Sequence, residues 1–150
     1  MRITVRGADG SRHELAEGAA RLSALFRDLH AKELNKLAWM EEEEPAMEIS
    51  LRDVGVATRD VLGPLVGALN AYADAPLPDT LVDGDRRLAL PAHVMRKLRP
   101  LAESEDLAVR AMLVAKAVGS AFLEMVVGAL LAAQFTRMSE EEQRERLARQ

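Results

Sequence analysis

The side chains that could support catalysis or bind a metal are few in this chain of 150 residues, and they lie far apart. The three histidines are His13, His30 and His93, and they lack the short shared spacing that marks most zinc sites. The absence of cysteine excludes disulfides, thiolate ligands and a cysteine nucleophile. The sequence therefore predicts neither a bound metal nor another cofactor.

A serine nucleophile and a phosphate-binding loop also lack support. The serines Ser11, Ser23, Ser104 and Ser120 belong to no motif that brings a histidine and an acid beside them. The glycines of the segment GPLVG do not follow a strand with the spacing of a phosphate-binding loop. We therefore expect a protein that is not an enzyme and has no catalytic residues.

The composition is that of an ordinary globular domain, with 49% hydrophobic and 29% charged residues. The net charge of −4 gives no general attraction to nucleic acid or anionic lipid, and 3% aromatic residues leave few rings for base stacking. The N-terminal MRITVRGADG lacks the apolar run of a signal peptide, and a chain without cysteine fits a reducing compartment. We therefore expect a cytoplasmic or nuclear protein that binds no nucleic acid.

The first part of the chain has the alternating pattern of β-strands. Ile3 and Val5 alternate with polar residues, the turn GADG follows, and residues 11–15 return as the second strand of a hairpin. The segment MEISL predicts a third strand. It follows the acidic run Glu41–Glu44, whose adjacent carboxylates repel one another and predict a solvated loop.

The rest of the chain is predicted to be mostly helical. Apolar residues at helical spacing follow the hairpin, with Leu22 among them. They recur in residues 61–72, 91–99, 106–118, 120–135 and 140–149. The helix at 61–72 is expected to begin near Gly63, because Pro64 is tolerated only in a first turn. A small sheet followed by helices predicts an α+β domain, with a body at residues 1–104 and C-terminal helices at 105–150.

The stretch Leu107–Phe135 is the most apolar part of the chain. It is long enough to cross a bilayer, but Arg110, Lys116 and Glu124 recur along it, and each charge costs about 3 kcal/mol at the bilayer centre. We therefore expect no membrane contact. The stretch predicts two helices divided near Gly119, and a helix that is apolar nearly all round must be covered on more than one side.

The order of several short stretches resembles the Skp1 family, the BTB/POZ-fold adaptors of cullin ubiquitin ligases. ITVRGADGSRHEL resembles the first hairpin of that family, and EEEEPAMEISLRDV resembles its acidic loop and short strand. LAVRAMLVAKAVGSAFLEMVV is similar to its buried helix and the leucine-rich helix that follows, and SEEEQRERL to its next helix. The resemblance implies a BTB/POZ-like adaptor whose C-terminal helices grip the F-box or F-box-like helices of a partner protein.

One segment departs from the family pattern. The family has Ala-Ala-Asn-Tyr-Leu where it meets the cullin, and this chain has Val-Ala-Lys-Ala-Val, so the Asn-Tyr pair is absent. Ala115 and Lys116 therefore mark a cullin-side position that differs from the family. The resemblance implies an F-box or F-box-like partner, and it leaves a cullin as a further partner that the absent Asn-Tyr pair disfavours.

Residues 120–135 carry two apolar stripes, and either both are internal core or one faces a partner's apolar helix. We expect the first helix of the stretch to be core and the second to be shared with a partner, because the residues after Phe135 are too polar to cover it. The predicted partner-binding residues are Leu123, Val127, Leu131, Phe135, Met138 and Leu147. The alternative occupant is a second copy, which gives a homodimer or larger BTB-type assembly unrelated to cullin ligases.

Overall fold

The computed structural model describes residues 1–39, 45–73, 92–137 and 140–148. Three strands form a small sheet, and helices account for most of the other described residues. The strands are β1 (Arg2–Arg6), β2 (Arg12–Leu15) and β3 (Ala46–Ser50). The α-helices are α1 (Ala24–Leu37), α2 (Arg59–Tyr72), α3 (Ala92–Leu98), α4 (Glu105–Ala117), α5 (Ala121–Arg137) and α6 (Glu140–Ala148), with 3₁₀ helices at Glu17–Leu22 and Arg99–Glu103. The predicted α+β class is confirmed.

The sheet has the order β2-β1-β3, with β1 antiparallel to β2 and parallel to β3. Ile3 lies opposite Leu15 and Val5 lies opposite Ile49, and all four side chains are buried. Residues two apart on a strand share a face, so the predicted alternation places these apolar side chains together on the covered face. The predicted hairpin and third strand are confirmed.

The side chain of Asn70 on α2 covers the outer edge of β2. Its amide nitrogen donates to the Glu14 carbonyl oxygen at 2.8 Å, and its oxygen accepts the N–H of Ala16 at 2.7 Å. One side chain thus satisfies backbone groups that a neighbouring strand would otherwise pair. These bonds hold α2 against the sheet.

Helix α2 begins at Arg59 and not near Gly63, so that Pro64 lies in its second turn. Proline lacks an N–H, and the carbonyl oxygen of Asp60 therefore has no helical donor at that point. Asp60 is exposed, and water can replace the missing bond. The prediction was wrong because it treated every position beyond the first turn as equally intolerant of proline.

The later helices lie within two residues of their predicted limits. Helix α4 packs against both α2 and α5, and the rings of Tyr72 and Phe122 stack with their centroids 4.7 Å apart. One cluster of buried apolar side chains draws on residues 1–104 and on residues 105–150. The C-terminal helices therefore contribute to the core of the body. The predicted acidic loop at Glu41–Glu44 lies outside the described residues.

Candidate partner-binding surface

Helices α4 and α5 form a hairpin whose turn contains Gly119. The N–H of Ser120 donates to the Ala115 carbonyl at 3.0 Å, and the N–H of Gly119 donates to the Lys116 carbonyl at 3.1 Å. These are the two bonds of a Schellman motif, which ends a helix. Gly119 has a φ of +63°, a conformation that glycine adopts without strain. The predicted division near Gly119 is confirmed.

Two buried serines fasten this turn to the start of α1. Ser23 and Ser120 each cap their own helix by accepting a backbone N–H from three residues ahead. Each hydroxyl also donates across to the other element, Ser23 to the Val118 carbonyl at 2.6 Å and Ser120 to the Leu22 carbonyl at 2.7 Å. Leu22, predicted to belong to the helix, instead ends the preceding 3₁₀ helix. We call Ser23 and Ser120 the serine clasp, and it sets the direction in which α5 leaves the body.

The first half of α5 is buried on both of its apolar stripes. Phe122, Leu123, Val126 and Val127 are at most 3% exposed and belong to the core cluster. Of the predicted partner-binding residues, Leu123 and Val127 thus lie in the core and present almost no surface to another protein. The physical reason is that α5 starts at the serine clasp, where α4 packs along it, Tyr72 of α2 stacks on Phe122, and the start of α1 is bonded to the preceding turn.

The other predicted partner-binding residues occupy different environments. Leu131 and Phe135 are half-buried in the second half of α5, and Leu131 packs against the core. Leu147 is exposed on α6, and Met138 lies outside the described residues. The described members of the predicted set therefore range from core to exposed and do not share one surface.

An exposed apolar strip runs instead along the outer side of the hairpin. Val109 and Leu113 on α4 are 39% and 50% exposed, and Met125 on α5 is 37% exposed. Met112 lies against α5, where a β-carbon on Gly128 would be 3.6 Å from its Cε atom. We define the α4–α5 strip as Val109, Met112, Leu113, Met125, Gly128 and Ala132.

Small side chains make the surface shallow on the α5 side of the strip. Gly128 and Ala132 follow Met125 at helical spacing, so they extend its side of the helix without projecting from it. The amide nitrogen of Gln134 donates to the carbonyl oxygens of Ala102 and Ser104 at 3.2 and 3.4 Å, which holds this half of α5 against the start of α4. The strip is therefore apolar and shallow, and the bonds of Gln134 fix the half of α5 that carries part of it.

The sequence held a signal for the α4 half of the strip. Asp106 and Arg110 form an i,i+4 ion pair with 3.1 Å between carboxylate oxygen and Nε, and Lys116 is exposed. Charged residues mark the solvent side of a helix, and Val109 and Leu113 lie on that same side. The expectation that the whole first helix is core missed this signal, because apolar residues occur on every side of it.

The two cullin-side positions differ in their accessibility. Ala115, one of the possible cullin-side positions, is fully buried and presents no surface to another protein. Its small side chain lets α4 lie close to the body. Lys116 is exposed in the last turn of α4 and has no ion pair among the described residues. Of these two side chains, Lys116 alone is available to a partner.

A hydrogen-bonded network links Asp9, Ser11 and His13 at the first turn. The Ser11 hydroxyl donates to Asp9 Oδ1 at 2.6 Å and lies 3.0 Å from His13 Nε2. The other Asp9 oxygen accepts the N–H of Arg59 at 3.0 Å. The statement that Ser11 has no histidine and acid beside it is therefore wrong. The available signals were the turn-forming Asp9, whose side chain accepts the N–H of Ser11 two residues on, and the spacing of two between Ser11 and His13 where the strand begins.

In this network the serine lies between the acid and the histidine, an order that stabilises the turn and does not activate the serine. With the Ser11 proton directed at Asp9, Nε2 of His13 is the donor to the hydroxyl and cannot take its proton. In a serine hydrolase the histidine lies between serine and acid. The bond from Ser11, together with that from the N–H of Arg59, lowers the pKa of Asp9 from 3.8 to about 2, and burial lowers the pKa of His13. The network therefore holds a carboxylate and a neutral imidazole in place.

The other two histidines make separate contacts. His30 Nε2 lies 3.0 Å from Glu17 Oε2, and this hydrogen bond lowers the pKa of Glu17. His93 Nε2 lies 3.0 Å from the carbonyl oxygen of Ala71. In the part of the chain that the structure describes, no three histidine, aspartate or glutamate side chains are grouped to hold a metal ion.

No family model and no curated protein matches this chain. Within residues 1–39, 45–73, 92–137 and 140–148, no helix combines the length and the apolar character that crossing a bilayer requires. A function is therefore inferred from the surface of the molecule. The α4–α5 strip is the surface that best supports one.

Proposed function

We propose that the protein is a non-catalytic adaptor that binds an apolar helical segment of a partner on the α4–α5 strip. The observation that supports this most is the exposure of Val109, Leu113 and Met125 on a hairpin whose other side packs into the core. Apolar surface left in water adds nothing to the stability of the fold, whereas covering it is favourable. An amphipathic helix presents an apolar stripe that matches a shallow strip between two helices.

The chemistry of the strip favours a reversible complex. Burying Val109, Leu113 and Met125 contributes roughly 2 kcal/mol each before any cost is counted. The loss of translational freedom and side-chain ordering on association offset much of this gain. The methionines Met112 and Met125 have flexible side chains that adapt to partners of different shape. Asp106 and Lys116 at the two ends supply a charged rim.

The resemblance to the Skp1 family supports a specific class of partner. That family grips F-box helices with its C-terminal helices, and we propose an F-box or F-box-like segment as the occupant of the strip. A BTB/POZ-like fold is part of the same proposal, supported by the order of strands and helices. A cullin is not part of it, because the Asn-Tyr pair is absent and Ala115 is buried. The cytoplasm and nucleus are the proposed compartments.

The substitution Leu113→Glu tests the strip directly. It places a carboxylate among apolar side chains at a half-exposed position, so the fold survives while the contact is lost. We expect recovery of a co-expressed, tagged F-box protein to fall by about tenfold or more, the effect of disrupting a central interface residue. Leu34→Glu is the matched control, because Leu34 is a similarly exposed leucine on α1, outside the strip. It should leave recovery unchanged.

Circular dichroism establishes that both variants fold. Equal recovery of the F-box protein by the wild type and by Leu113→Glu contradicts the assignment of the strip. Failure of the folded wild type to recover any member of a panel of F-box proteins contradicts the proposed partner class.

A further inference from the structure

The exposed side of α4 carries opposite charges at its two ends and apolar side chains between them. Asp106 lies in the first turn and Lys116 in the last turn, and both are exposed. Val109 and Leu113 lie between them and are the exposed large apolar residues of this helix. The order along this side is therefore acid, apolar, apolar, base.

This order is symmetric about the level of Ala111. When two copies of a helix pack antiparallel and cross at one level, residues equally far from that level on either side face each other. Val109 of one copy then meets Leu113 of the other, and Asp106 meets Lys116. Each contact occurs twice, because a two-fold axis relates the copies. The antiparallel helix dipoles also attract one another.

We propose that a second copy of this chain docks on the α4–α5 strip by antiparallel pairing of α4, with Asp106 facing Lys116 across the two-fold axis. The role of this dimer rests on the proposed function, because the dimer covers the surface that a partner helix needs. Self-association covers the apolar side chains in the free protein. A partner helix and a second copy then compete for one strip.

Both charged groups are accessible to a second copy. Lys116 has no ion pair among the described residues. Asp106 already pairs with Arg110, but its side chain is 78% exposed and leaves the carboxylate open to a second cation. The strip contains few large apolar side chains, which places the interface in the small class that forms transient complexes. The dimer therefore dissociates on dilution.

Charge reversal of the full-length chain tests the pairing. Sedimentation velocity over about a hundredfold range of concentration should show a monomer–dimer equilibrium for the wild type. Asp106→Lys and Lys116→Glu each place like charges opposite one another twice, and each should weaken association by about tenfold or more. The double variant Asp106→Lys/Lys116→Glu restores opposite charges, and its association should return to within about threefold of the wild type. Lys32→Glu, an exposed reversal on α1, is the matched control and should change nothing.

The double variant separates an effect on the interface from an effect on the helix. Both reversals oppose the dipole of α4, so a variant that only damaged the helix would associate less well in the double than in either single. A wild type that stays monomeric at every concentration overturns the proposal. Single reversals without effect, or a double reversal that does not restore association, overturn it as well.

Failure of the dimer and failure of the adaptor are distinguishable. If the chain is monomeric at every concentration but recovers a tagged F-box protein through Leu113, the adaptor proposal is supported and the dimer proposal is contradicted. If the chain dimerises with the expected response to charge reversal but recovers no F-box protein, the dimer proposal is supported and the adaptor proposal is contradicted.

Discussion

The inner and outer sides of the α4–α5 hairpin have similar side chains and opposite environments. The inner side buries Val114, Leu123 and Val127 in the core, whereas the outer side leaves Val109 and Leu113 in contact with solvent. All five are branched aliphatic residues, so side-chain type does not explain the difference. The neighbours explain it, because α2 and the 3₁₀ helix Arg99–Glu103 pack against the hairpin and the start of α1 is bonded to its turn.

This difference separates stability from binding on a single pair of helices. Residues of the inner side hold the hairpin to the body and are inaccessible to any partner. The exposed residues of the outer side, Val109, Leu113 and Met125, do not belong to the core cluster and are free to associate. Substitutions on the two sides should therefore change different properties.

Truncation of one leucine on each side gives the largest expected contrast. Leu123→Ala opens a cavity in the core and should lower the free energy of unfolding by about 2–5 kcal/mol. Leu113→Ala removes a half-exposed side chain and should lower it by less than about 0.5 kcal/mol. Urea denaturation followed by circular dichroism, at a protein concentration low enough to exclude self-association, measures both. Similar losses for the two variants would show that the sides are equally covered.

The serine clasp gives a smaller contrast between the inner turn and the outer helix start. Ser120→Ala removes the cap of α5 and leaves the buried Leu22 carbonyl without its donor, which should cost about 1–3 kcal/mol of unfolding free energy. Ser104→Ala removes the cap of α4 at a partly exposed position and should cost about 1 kcal/mol.

A double-mutant cycle measures how far the two serines of the clasp act together. The loss of unfolding free energy in Ser23→Ala/Ser120→Ala should differ from the sum of the two single losses by about 0.5 kcal/mol or more, because the two hydroxyls join the same two segments. Additive losses, with Ser120→Ala no worse than Ser104→Ala, would reduce the clasp to two independent helix caps.

The pH dependence of stability gives the smallest contrast. The buried residues described on the hairpin include no titratable group, whereas Asp9 in the first turn has a pKa lowered from 3.8 to about 2 by its bonds from Ser11 and from the N–H of Arg59. Because its pKa is lower in the folded chain, Asp9 stabilises the fold above its ordinary pKa, and this contribution is lost as pH falls toward 2. Asp9→Asn should flatten the fall of Tm over this range.

Asp53→Asn is the control for this measurement, because Asp53 is exposed and lies outside the network. Its Tm should follow that of the wild type at each pH. If the Asp9→Asn variant keeps the wild-type dependence of Tm on pH, groups other than Asp9 cause the acid sensitivity.

The elements of the fold were predictable where a local pattern encodes them. The alternation of Ile3 and Val5, the GADG turn and the break at Gly119 each specify the backbone over a few residues, and the structure follows them. The start of α2 was not predictable in this way. Whether Pro64 is tolerated in a second turn depends on whether water reaches the backbone of Asp60, and the exposure of Asp60 is a property of the folded surface.

The candidate surface shows the same division. The residue types alone establish that 107–135 forms two apolar helices that need cover on more than one side, because hydrophobic periodicity is a local property. They do not establish which side the body covers. That assignment comes from contacts between distant segments, such as the serine clasp, whose two cross-bonds join groups 95 and 98 positions apart. Those contacts bury Leu123 and Val127 in the core and leave Val109 and Leu113 on the surface.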